Sequence, residues 1–144
     1  MIVRRYQDLT TWQLTEGLKL ETFRLIRGSK DGWRDLRFRG QIVASARAPS
    51  KHVAEGFLRK NPGEFSRFLT YAISSIGETE GHPRDGVELG YWPEADCQEA
   101  LRWAKRSSVA VMRLKHTQDR RAEEERQRKR SRKAPRDQDP GNIV

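Results

Sequence analysis

"APSKHVAEGFLRKNPGEF", residues 48–65, decides the fold, because two prolines and two glycines interrupt a run that otherwise keeps a helical period. Upstream of it, Phe38, Ile42, Ala46, Pro49, Val53 and Phe57 recur at alternating steps of three and four, the spacing of one helix face. A proline on that stripe has no amide for the carbonyl of Ser45 and crowds it, so the helix bends or breaks at about 3 kcal/mol if nothing compensates. The period survives across Pro49, which predicts one kinked helix from about Arg34 to Leu58 rather than two. "NPGE" at 61–64 then marks a new start: Asn61 is a good N-cap, Pro62 suits the first helical position, and Glu64 stands where a capping-box carboxylate reaches back. The stretch is therefore read as a helical hairpin.

Working outward, Phe65, Phe68, Leu69, Ala72, Ile73 and Ile76 continue the third segment, and the signal decays beyond them, where Gly77, Gly81, Pro83 and Gly86 predict a kink or an end near Pro83. "ELGYWPE" (88–94) reads as a turn. The first segment runs from about Asp8, taken as its cap, to Arg27, with Leu9, Trp12, Leu14, Leu18, Phe23, Leu25 and Ile26 on a broad apolar face. "GSKDGWRD" (28–35) is turn chemistry separating it from the second. The fourth segment starts near Pro93 and places Cys97, Leu101, Ala104, Ser108, Val111 and Met112 on one face. No strand-like alternation or internal repeat is present, so the expected fold is all-α: an up-down-up-down four-helix bundle over residues 1–118, helix 2 kinked at Pro49. Residues 119–144 are expected to form a basic, partly disordered C-terminal extension.

Charge points to the kind of partner. The chain carries 29 Lys and Arg against 20 Asp and Glu, a formal net charge of +9, which favours a polyanion because cations displace the counterions around phosphates. Most of the excess lies between Arg120 and Arg136. No run approaches the roughly 18 apolar residues of a membrane span, and the single cysteine, Cys97, has no partner for an internal disulfide, so a cytoplasmic setting with no membrane partner is expected.

As a set, "YQDLTTWQ" (6–13), "VAEGF" (53–57), "EFSRFL" (64–69), "SSIGETE" (74–80) and "LGY" (89–91) resemble one family. It comprises the four-helix-bundle proteins encoded by intervening sequences of bacterial 23S rRNA genes and the accessory variability determinants of diversity-generating retroelements. The resemblance spans roughly residues 6–116 and departs from the family where Pro49 stands one position early and His52 replaces an Asn. It implies a homopentamer with basic surfaces that bind nucleic acid, no catalysis, and, in the retroelement branch, a reverse transcriptase partner.

No catalytic constellation competes with that reading. His52, His82 and His116 fall on separate segments and lack the Glu-x-x-His spacing of a di-iron bundle, so no metal or cofactor is expected, and Gly56 and Gly63 are wrongly spaced for a phosphate loop. The candidate nucleic-acid contacts are Arg34, Arg37 and Arg39 at the start of the second helix, Arg47 and Lys51 a turn apart on one face, and Arg59 and Lys60 in the turn before the third. To these the extension adds Arg126, Arg128, Lys129, Arg130, Arg132 and Lys133. Trp33, in a Gly/Asp loop beside Arg34, is a candidate stacking residue, while Trp12 and Trp103 read as core or interface anchors. The expected function is a non-enzymatic RNA- or single-stranded-DNA-binding accessory working as an oligomeric ring. The alternative is a scaffold that binds a protein partner and uses the basic extension for docking or solubility.

Overall fold

The computed structural model describes residues 2–135 and is all-α. A 3-10 turn at Tyr6–Asp8 leads into α1 (Thr10–Gly28), followed by α2 (Lys30–Arg34), α3 (Leu36–Leu58), α4 (Pro62–Glu88) and α5 (Glu94–Lys133). The chain is a helical bundle in which α1 packs on α3 and α5, and α4 packs on the same two. No described helix is long and apolar enough to cross a membrane.

The stripe of residues 38 to 53 is buried as its period demands: Ile42, Ala46 and Val53 are fully enclosed, and Pro49 lies among them. α3 is continuous through Pro49. The carbonyl that a proline orphans, Ser45 O, finds its partner on another helix, 2.7 Å from the Thr79 hydroxyl of α4. That hydroxyl also stands 2.7 Å from Ser75 O, so one proton serves two buried acceptors. Thr79→Val keeps the shape and leaves Ser45 O unpaired; a loss of about 2 kcal/mol is expected, measurable by urea unfolding.

Near the linking turn, Gly56 of α3 sits against α4, where an added Cβ would lie 2.9 Å from Phe68 Cβ. Farther along, Ser45 meets Thr79, so α3 and α4 run side by side in opposite directions. The Asn61 side chain accepts from the Glu64 amide at 2.9 Å, whereas the Glu64 carboxylate turns to Arg67, 3.8 Å away, instead of reaching back.

Several expectations are corrected. Asp8 does not cap α1: it belongs to the 3-10 turn, and Leu9 holds the cap position without a side-chain bond. The 28–35 turn contains α2, started by Ser29 Oγ accepting from the Gly32 amide at 3.0 Å. Pro83 does not end the third helix. Trp92, folding back from the next turn, donates Nε1–H to Pro83 O at 2.8 Å and lies over Gly86. In α5, Met112 is 42% exposed and the buried stripe shifts to Cys97, Ala100, Ala104, Ser107 and Val111.

The last helix runs unbroken past residue 118. Its buried positions continue through Gln118 to Ala122, one turn beyond the expected start of the extension, and every described residue after Ala122 is exposed. Of the extension expected to be partly disordered, residues 136–144 lie outside the described residues.

Candidate nucleic-acid interface

The candidate cations occupy three places. Arg34 ends α2, and Arg37 and Arg39 lie in the first turn of α3, forming a corner at one end of the bundle. Asp35 caps α3 there, accepting from the Phe38 amide at 3.1 Å and from the Tyr91 hydroxyl at 2.5 Å. These bonds hold its carboxyl below, and the Tyr91 phenol above, their ordinary ranges. Asp85 and Glu88 share a shallow pocket with Asp35 and Arg37, so the corner is mixed in charge. Trp33 is 42% exposed with the Arg39 guanidinium over its ring at 4.6 Å, and Arg39 also donates to Trp33 O at 3.1 Å. One face of the candidate stacking residue is thus already covered.

Arg47 and Lys51 are exposed midway along α3, with Lys51 4.0 Å from Glu55. Beside them His52 is half-buried, edge-on to Tyr71, its Nδ1 enclosed without a hydrogen bond. Burial pushes this imidazole below its usual pKa, Glu55 at 3.8 Å opposes the shift, and Lys51 adds to it. The folded chain therefore resists a proton that the unfolded chain accepts below about pH 6.5, and stability falls as pH drops through that value. His52→Gln is expected to flatten the dependence of thermal midpoint between about pH 7.5 and 5.5.

Arg59 and Lys60 form the α3–α4 link at the opposite end from the corner, some 33 Å away along a helix of this length. Arg59 lies over the Phe68 ring at 5.0 Å, and Lys60 has a left-handed backbone (φ 52°) that turns the chain into α4. This is also where α5 leaves the bundle. Ser66 of α4 donates to Asp119, and Lys115 reaches both, at 3.2 Å from Ser66 Oγ and 2.8 Å from Asp119. The Lys115 and Ser66 bonds hold the Asp119 carboxyl below its ordinary range. Past this clamp, Arg126, Arg128, Lys129, Arg130, Arg132 and Lys133 project on an exposed helix. Arg126 pairs with Glu123 at 3.5 Å; the other five make no ion pair among the described residues.

Packing brings Lys60 together with two cations that sequence reasoning missed. Arg4 and Arg121 line the same groove as Lys60, between the N-terminal segment, the α3–α4 link and α5. Arg121 had a usable signal, since it follows Leu114 by seven residues on the α5 face that turns inward. Arg4 had none, because only the tertiary fold seats it there. The link and the extension therefore make one basic end, while Arg34, Arg37 and Arg39 stand apart.

The model of the 23S rRNA-intervening sequence protein family matches residues 7–113. The chain belongs to this family. Comparison with curated protein sequences gives no match. The span shared with the 23S rRNA-intervening sequence proteins ends inside α5, thirteen residues before Arg126, so the cationic overhang lies beyond the region that defines the family. Among the described residues, Glu55 and Glu80 pair within their own helices, the latter with Arg84 at 3.2 Å, and not across the bundle.

Proposed function

We propose that this member of the 23S rRNA-intervening sequence protein family is a non-enzymatic RNA-binding accessory that works in the cytoplasm as a homo-oligomer. The observation that carries the reading is the α5 overhang, where six cations stand between residues 126 and 133 with no acid among them, all exposed. Such an array neutralises phosphates without a preformed pocket. In this reading the four long helices run up-down-up-down, bent at Pro49, and five copies close a ring. The sequence resemblance supports the ring, and it adds a reverse transcriptase as the enzyme such an accessory would serve. A ring repeats each modest contact, so avidity replaces a deep site.

The test is a salt titration of fluorescent single-stranded RNA against the full chain, with single-stranded DNA as a parallel arm, and light scattering on the same sample. A linear fall of log affinity with log salt, stronger for RNA, together with a mass several times the 16.8 kDa of one chain, is expected. No RNA binding near physiological salt overturns the reading, and a strict monomer removes its avidity.

A further inference from the structure

The groove at the basic end is built for more than phosphates. It measures about 920 Å³, and Leu9, Phe57, Phe65 and Leu114 give it apolar walls. Gln118 lines it as well and is 7% exposed. Its amide offers both donors and an acceptor to whatever enters the groove. Around the opening stand Arg4, Lys60 and Arg121, none of them in an ion pair among the described residues, with Glu125 the acidic group beside them. Apolar walls, one donor-acceptor amide and a rim of uncommitted cations match a planar heterocycle attached to a phosphodiester.

We propose that this groove receives one unpaired nucleotide of a bound RNA. The base enters between Phe57 and Leu114, the Gln118 amide bonds its polar edge, and Arg4, Lys60 and Arg121 hold the adjoining phosphates. Aromatic contact with a base is tolerant of sequence, whereas a single amide presents one donor and one acceptor to the base edge. A base held in a duplex cannot enter, so the chain distinguishes helical RNA with a bulge from the same helix without one. The inference rests on the RNA reading and adds a structural preference that the cationic overhang alone does not produce.

The experiment compares two end-labelled RNA duplexes of the same sequence, one blunt and one with a single bulged adenosine, by anisotropy with the full chain. The bulged duplex is expected to bind about tenfold more tightly. Gln118→Leu, which keeps volume and suits the apolar walls, is expected to remove most of that preference while leaving blunt-duplex affinity unchanged. Lys60→Asn, at an exposed left-handed position that Asn tolerates, is expected to weaken the bulged complex several-fold without unfolding risk. Equal affinity for the two duplexes overturns the groove assignment and leaves the RNA reading standing. A preference that persists in both variants overturns it too. Binding of neither duplex, nor of single-stranded RNA, removes both.

Discussion

Gly86→Ala is expected to destabilise the fold by about 3 kcal/mol, a fall of roughly 10 °C in thermal midpoint for a chain of this size. An added Cβ would stand 2.0 Å from Trp92 Cζ2 and 2.4 Å from Cε2, far inside any permitted contact. The indole cannot simply yield. Its Nε1–H is bonded to Pro83 O at 2.8 Å, and its ring is wedged against Phe38 and Tyr91, with centroids 5.9 and 6.4 Å away. Expelling it would open a cavity beside Ile26, Ile42 and Cys97, whose cost outweighs the helix propensity of about 1 kcal/mol that alanine brings. The same substitution at Gly77 or Gly81, where nothing lies within 4 Å, supplies the contrast and should stabilise by up to about 1 kcal/mol. Thermal unfolding of the three variants decides it; if Gly86→Ala melts with the other two, the seat of Trp92 is wrong.

Replacing Arg126, Arg128, Lys129, Arg130, Arg132 and Lys133 together by Gln is expected to produce the largest change in RNA binding. Each phosphate neutralised on a single strand contributes about 0.7 to the salt slope, so removing six contacts should lower it by about 4. At about 0.1 M salt the affinity should fall by two to three orders of magnitude. Because every one of these side chains is exposed, the thermal midpoint should hardly move, which separates lost binding from lost folding. Neutralising Arg34 and Arg37 at the mixed-charge corner should lower the slope by less than about 2. An equal effect from both ends would sink the assignment of the overhang as the principal contact.

These two cases also mark where the sequence was legible. The α3 stripe from Phe38 to Val53 and the Asn61 cap follow from local rules that the tertiary fold reinforces, so they were readable. Pro83 and Gly86 were not, because their tolerance depends on an indole that folds back from residue 92, and no local propensity encodes that contact. The inner face of α1 was hidden for another reason. Thr11, Thr15 and Thr22 are buried beside Leu18 and Ile26, and hydropathy counts them as polar, although Thr15 donates to Trp12 O and Thr22 to Leu18 O, each at 2.8 Å. Gly17 likewise gives no local sign of its role, which is to let Trp103 lie over it, 2.4 Å from where a Cβ would stand. Of the candidate site, the overhang and Lys60 were visible as runs of charge. The groove was not, since Arg4, Lys60, Gln118 and Arg121 meet only after three separate segments pack.

The length of α5 carries one more consequence. At 40 residues it spans about 60 Å, against about 40 Å for the 27 residues of α4, so its end stands clear of the bundle. Among the described residues, the side-chain bonds of residues 123–133 fall within their own helix, such as Ser131 Oγ to Gln127 O at 3.1 Å. An eleven-residue helix crowded with like charges is marginal in water by itself, and here it persists as a continuation templated by the clamped turns before it. Helix and coil are close in free energy along this arm, and a polyanion that relieves the repulsion tips the balance toward helix. Ligand binding should therefore register as a gain in helical circular dichroism, and without ligand a protease should cut first just beyond Ala122.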